Sequence, residues 1–133
     1  MSKTLKALFL FTDIGFVLYW IVTGLALIPK EYLYQNYHNE LLVVWNWSFF
    51  PLDIFISLTG LYSLYLHKHN NLKWRNVALI SLTLTFCSGL QAIAFWMIKV
   101  DFDIMWWIPN LYLMIYPLFF IPTLIKSNQP VKI

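Results

Sequence analysis

Four long apolar runs, separated by short polar links, fill most of this chain. They lie at roughly 5–28, 41–66, 77–98 and 104–125, and each meets the ~20 apolar residues that an α-helix needs to cross a bilayer. A backbone in lipid must satisfy its own hydrogen bonds, which makes segments of this length helices. Short links join them, apart from an outer loop at 29–40, so neighbouring helices run antiparallel. The expected fold class is all-α: an integral membrane four-helix bundle of up-down topology, one membrane domain over residues 1–133.

Composition narrows the partners. Of 133 residues, 60% are hydrophobic and 11% charged, against about 25% charged in soluble domains. A water-soluble core of this length does not hide so much apolar surface. The lone Cys87 excludes an intrachain disulfide or a cysteine-based metal site. The first run ends in Leu27-Ile28-Pro29-Lys30 rather than a small-residue cleavage motif, so it reads as a span and not a cleaved signal. His38, His67 and His69 read as interfacial, and His67 and His69 do not share a helix face. No metal or cofactor is expected. The net charge of +3 is spread along the chain, which fits phospholipid head groups and not nucleic acid.

Lysine and arginine set the orientation. One side of the bundle receives Lys3, Lys6, Lys68, Lys73, Arg75, Lys126 and Lys132; the other receives Lys30 and Lys99 beside Glu31, Glu40, Asp101 and Asp103. The positive-inside rule then puts both termini in the cytoplasm of a cell whose plasma membrane holds the protein, expected to be bacterial. Trp45, Trp47, Trp106 and Trp107 fall at the outer ends of spans two and four, and Trp74 and Tyr65 at the inner interface, where aromatic belts form.

Asp53 interrupts the second run about ten residues or more from either end. A carboxylate at the centre of a span costs roughly 2.5–3.5 kcal/mol on insertion scales and usually faces a partner or a cavity. Counting ~1.5 Å per residue from the inner ends puts Asp53 and Gln91 about 20 Å up, and Asn110 about 22 Å up. Thr23 lies slightly higher. Helical spacing groups Asn46, Phe50, Asp53, Ser57 and Gly60 on one face of span two. It likewise groups Leu84, Cys87, Ser88, Gln91 and Phe95 on span three, and Asp13, Phe16, Trp20, Thr23 and Gly24 on span one. Span four contributes Asn110, Leu113, Met114 and Pro117. Apolar walls with a few placed polar groups make a small-molecule pocket. The ligand-binding set expected is Asp53, Gln91, Asn110, Thr23, Trp20, Phe50 and Phe95.

Other polar residues have plainer readings. Ser57, Ser63, Ser81, Thr83, Thr85 and Ser88 fit packing or back-bonding within helices. Asp13, near Lys6 by helix count, fits a structural or snorkelling acid. Pro51, Pro109, Pro117 and Pro122 each remove a helix hydrogen bond, and bends there would either open a cavity or improve packing. The outer link, with Tyr32, Tyr34, Asn36, Tyr37 and His38, fits an interfacial anchor somewhat better than a lid.

Three motifs resemble the EXPERA family of sterol isomerases and amphiphile receptors. Asp53 precedes an apolar run and the basic turn Leu72-Lys73-Trp74-Arg75; Ser88-Gly89-Leu90-Gln91 supplies a glutamine in the next helix; and Asn110 stands seven residues before Pro117. The resemblance covers roughly residues 10–126 and implies four or five helices around a pocket open toward lipid. Two features depart from it. Span one offers Trp20 and Thr23 where the isomerase has histidine and glutamate, and Leu113 stands where tryptophan is expected. The proton-shuttling set is therefore incomplete, and catalysis stays open, with Asp53 the residue to carry it. The chain is also similar to the uncharacterised YvaD-like small membrane proteins of Bacillus-type bacteria.

The function these features imply is a membrane-embedded binding protein for an apolar or cationic amphiphile (lipid, sterol-like or terpenoid), with Asp53 as polar anchor. Alternatives are a lipid or sterol-type double-bond isomerase, a small proton-coupled transporter working as a homodimer, and an assembly subunit.

Overall fold

The structure, a computed structural model, describes residues 1–32 and 38–128. The expected roles of Tyr34, Asn36, Tyr37 and Lys132 lie outside the described residues. Four helices run in sequence: α1 Lys3–Gly24, α2 Glu40–Lys68, α3 Trp74–Ile98 and α4 Ile104–Ser127. Each is long and apolar enough to cross a membrane.

Local chemistry fixes the helix ends. The Ser2 hydroxyl accepts from Leu5 N–H at 3.2 Å, and the Asn39 carboxamide oxygen accepts from Leu41 and Leu42 N–H at 3.1 and 3.3 Å. Asp103 accepts from Met105 N–H at 3.0 Å. These caps satisfy donors that the first turn leaves unpaired. α1 stops at Gly24, short of the expected span end at Ile28. Ala26 turns into the left-handed region at φ 52°, and Leu27 N–H folds back to the Val22 carbonyl at 3.1 Å. α2 and α4 continue unbroken through Pro51, Pro109, Pro117 and Pro122.

Each helix packs antiparallel on the next. Buried hydroxyls tie α2 to its neighbours through backbone carbonyls. Ser57 donates to the Asp13 carbonyl (2.9 Å), Ser63 to that of Trp74 (3.0 Å), and Ser81 to that of Ile56 (3.0 Å). Thr85 bonds back to the Ser81 carbonyl at 2.7 Å. Small hydroxyl residues at helix seams let backbones approach, as membrane helices require.

At the end that carries the chain termini, all four helices share one core of Leu5, Phe9, Leu66, Trp74, Ala78, Leu82, Tyr116 and Leu124. The outward surface is apolar as well: Phe11 and Phe119 are each 73% exposed, and Phe55 62%. Water would penalise such a surface heavily; lipid would not.

α3 and α4 approach closely at Gly89. A Cβ on Gly89 would stand 2.6 Å from both the Asn110 carbonyl oxygen and the Met114 nitrogen, whereas one on Gly15 would meet nothing within 4 Å. Backbone atoms cannot swing aside. Gly89→Ala should therefore lose about 1–3 kcal/mol of stability, the usual cost of overpacking, while Gly15→Ala holds or gains slightly. Thermal unfolding in detergent checks this; a wild-type midpoint for Gly89→Ala would mean the helices stand further apart.

Candidate functional site

Away from the termini the bundle opens around a cavity of about 440 Å³. α1 lines it with Thr12, Gly15, Phe16, Tyr19 and Trp20, and α4 faces these across the gap with Trp106, Pro109, Asn110, Tyr112 and Leu113. α2 adds Trp45, Asn46, Phe49 and Asp53; α3 adds Ser88, Ala92 and Trp96. The lower end is closed where the Thr12 and Tyr112 hydroxyls bond at 2.9 Å, with Phe11 edge-on to Tyr112.

Asp53 is the carboxyl group on this wall. It is 5% exposed and accepts hydrogen bonds from Trp20 Nε1 at 2.9 Å and Ser88 Oγ at 3.3 Å. One side chain thus joins α1, α2 and α3. Trp20 is held in turn by Tyr19, Trp47 and Phe50, with ring centroids 5.0–5.3 Å away. Higher up, Asn46 Nδ2 donates to the Tyr19 hydroxyl at 3.3 Å. Asn110 also lines the cavity, with its Nδ2 donating to the Trp106 carbonyl one turn earlier at 2.8 Å. An acid among aromatic faces suits a cation on two counts, charge pairing and cation–π attraction.

Of the seven residues expected at the site, Asp53, Trp20 and Asn110 meet at the cavity, and four do not. Gln91 lies exposed on the outer surface of α3. The inward face of that helix is Ser81, Thr85, Ser88, Ala92 and Trp96, all buried, and Gln91 sits about 100° round from Ala92. Phe95, on the same misjudged face, is half-buried outside the cavity, stacked on Trp45 at 4.0 Å. Phe50 is 40% exposed and backs Trp20 from outside. Thr23 is buried beyond Trp20 and does not line the cavity.

Ser88, read from sequence as packing, is instead a hydrogen-bond partner of Asp53. A signal for it was present: Ser88 follows the link after α2 by about as many residues as Asp53 precedes it, and antiparallel helices pair residues equidistant from their turn. Thr12 and Tyr112 carried no such signal. Asp13, read as a structural or snorkelling acid, is 0% exposed and faces α2 instead of reaching for the interface.

Comparison with known proteins gives a family and no activity. A family model described as "Family of unknown function (DUF5360)" matches residues 5–131, and the chain belongs to that family. It is 55% identical over 130 residues to the "Uncharacterized protein YvaD" of Bacillus subtilis (strain 168), covering 98% of each chain. No solved structure matches. The YvaD-like resemblance is thereby shown, while the EXPERA resemblance gains no support from these matches.

The Trp20–Asp53 bond can be tested on the protein alone. Trp20→Phe keeps a ring but removes the donor, leaving Asp53 with Ser88 only. It should cost about 1–3 kcal/mol, the range for a buried polar group that loses its partner. Adding Asp53→Leu to the same chain should cost less than it does beside an intact Trp20, because no indole donor is then left to strand. Chemical unfolding in detergent measures both; a double variant as unstable as the two losses summed would show that the pair does not interact.

Proposed function

We propose that this member of the DUF5360 family is an integral membrane protein that binds an amphiphilic small molecule in its cavity, with Asp53 as the polar anchor. The four helices cross the bilayer, and both termini face the cytoplasm, the side that collects the lysines and arginine. The membrane is the bacterial plasma membrane, in keeping with the Bacillus relative.

The observation that carries this reading is the position of Asp53. It is a carboxyl group on the wall of a cavity about 440 Å³ in volume, whose other walls are mainly aromatic. A volume of that order suits a drug-sized guest. The cationic class of amphiphile is favoured, since its charge would pair with Asp53 where water is scarce and screening weak. Trp20 holds the carboxyl in place and Asn110 offers a second polar contact. The guest enters from lipid between α1 and α4, past Gly15, which is exposed and has open space before it. A double-bond isomerase is less well supported, because it needs a second proton-carrying group at the guest, and Asp13 is turned toward Gly60.

The test is thermal stability of purified protein against long-chain amines, quaternary ammonium amphiphiles, sterols and terpenoids. A guest at a hundred times its Kd adds ~2.7 kcal/mol, a clear shift in midpoint. Amines should shift wild type and fail with Asp53→Asn. They should also fail with Gly15→Leu, which closes the mouth without touching the carboxyl. Shifts that persist in both variants, or no shift with any compound, would overturn the proposal.

A further inference from the structure

A second acid lies below the cavity. Asp13 on α1 is 0% exposed, and among the described residues neither of its carboxyl oxygens has a hydrogen-bond partner. Its space is made by α2: a Cβ on Gly60 would collide with the Asp13 carboxyl. Glycine at 60 is thus a condition for the acid being there.

The neighbouring groups leave the carboxyl alone. Ser57 of α2 is spent on the Asp13 backbone carbonyl at 2.9 Å, and Thr85 of α3 on the Ser81 carbonyl at 2.7 Å. From α4 come Tyr112 and Tyr116, both within electrostatic reach of Asp13. Among the described residues they are the titratable groups that face it; at that level Tyr62 of α2 and Cys87 of α3 are turned outward and exposed. The Tyr116 hydroxyl is buried beside the hydroxyls of Thr12 and Thr85. Along α1 the nearest basic residue is Lys6, about 10 Å lower, and along α2 Asp53 stands about 10 Å from Gly60. Below lies the apolar core of Leu5, Phe9 and Leu66.

We propose that Asp13 is a proton-exchange site inside the bundle, reached from the cavity through the hydroxyls of Thr12, Tyr112 and Tyr116. Burying a carboxylate with neither donor nor cation costs far more than burying the neutral acid. A neutral acid also has an O–H to give, and the Tyr116 hydroxyl, within electrostatic reach though not bonded to it, is a hydroxyl on α4 that could take it. Each hydroxyl both donates and accepts, so a proton leaving Asp13 enters the chain at one oxygen while another leaves it at the cavity. Water at the cavity end takes that proton and returns one of its own along the same hydroxyls, so Asp13 is a carboxylate only between the two transfers and no bond between heavy atoms changes. The apolar core closes the route toward the termini, and the Thr12–Tyr112 bond is the link to the cavity above. Such a site would link cavity events to protons, yet it stands whether or not the cavity binds amines.

Infrared spectroscopy of the ligand-free protein in lipid at neutral pH tests it. Wild type should show a carboxylic-acid C=O band that moves on transfer to D₂O. Asp13→Asn should lose the band and Asp53→Asn should keep it. Tyr112→Phe should keep the band and slow its D₂O shift severalfold, since the hydroxyl route is cut. Should Asp13→Asn misfold, Gly60→Ala serves instead, because the collision displaces the carboxyl and must move its band. A band unchanged in Asp13→Asn or Gly60→Ala, or a D₂O shift as fast in Tyr112→Phe as in wild type, would overturn the proposal. Absence of amine binding with this band pattern intact would count against the cavity reading alone.

Discussion

The Asp53 carboxyl is the point on which three helices agree. Trp20 reaches it from α1 and Ser88 from α3, so its two oxygens fix how far each neighbour slides along α2. In an apolar bundle few contacts can set register, because one leucine slides past another at little cost. A buried carboxyl with its donors is different: a slip of one turn strands it, and a buried polar group without a partner costs several kcal/mol in a medium that cannot hydrogen-bond. The register of α1 and α3 on α2, and with it the placing of Trp20 on the cavity wall, is tied to that pair of bonds.

The two buried acids make a useful contrast. Both lie on the α1–α2 seam, one opposite Trp20 and one opposite Gly60. Asp53 has two donors and borders open space; Asp13 has no donor and borders a glycine. Satisfied polar groups hold a structure, whereas unsatisfied ones need another explanation, and catalytic or exchange chemistry is among the recognised ones. The core hydroxyls of Ser57, Ser63 and Ser81 belong to the first kind, since each gives its hydrogen to a carbonyl of a neighbouring helix.

How much of this was legible in the sequence depended on the physical signal. The four helices were visible because length and apolar composition dictate them. Asp53 and Asn110 were visible because polar residues at a matched depth inside the apolar runs are few, and Trp20 because helical spacing puts it on one face with Asp13 and Thr23. Which face of α3 points inward was not visible. In a soluble helix the polar side marks the outside, but here outward-facing and core-facing sides are both apolar, and the rule that sorts them fails. Gln91 then competed with Ser88 on polarity and won, although Ser88 is buried and Gln91 exposed. Phe95 followed it onto the wrong face, and Phe50 sits behind the ring that it was expected to accompany.

Glycine carries the information that polarity lacks in such a chain. Gly60 and Gly89 mark seams where a neighbour's atoms already occupy the place of a Cβ; Gly15 marks the opposite, a position with open space in front of it. The first two lie where α2 meets α1 and where α3 meets α4, and the third lies where α1 and α4 part. Helices α2, α3 and α4 pack in series, α2 on α3 through the Ser81–Ile56 bond and α3 on α4 at Gly89, while α1 is anchored to α2 at Asp53 and Asp13 and meets α4 through Thr12 and Tyr112 around the closed end of the cavity. The gap between α1 and α4 is the side of the bundle where a guest could enter with the fewest packed contacts to break, and the two acids both hang from the seam that would have to hold while it did.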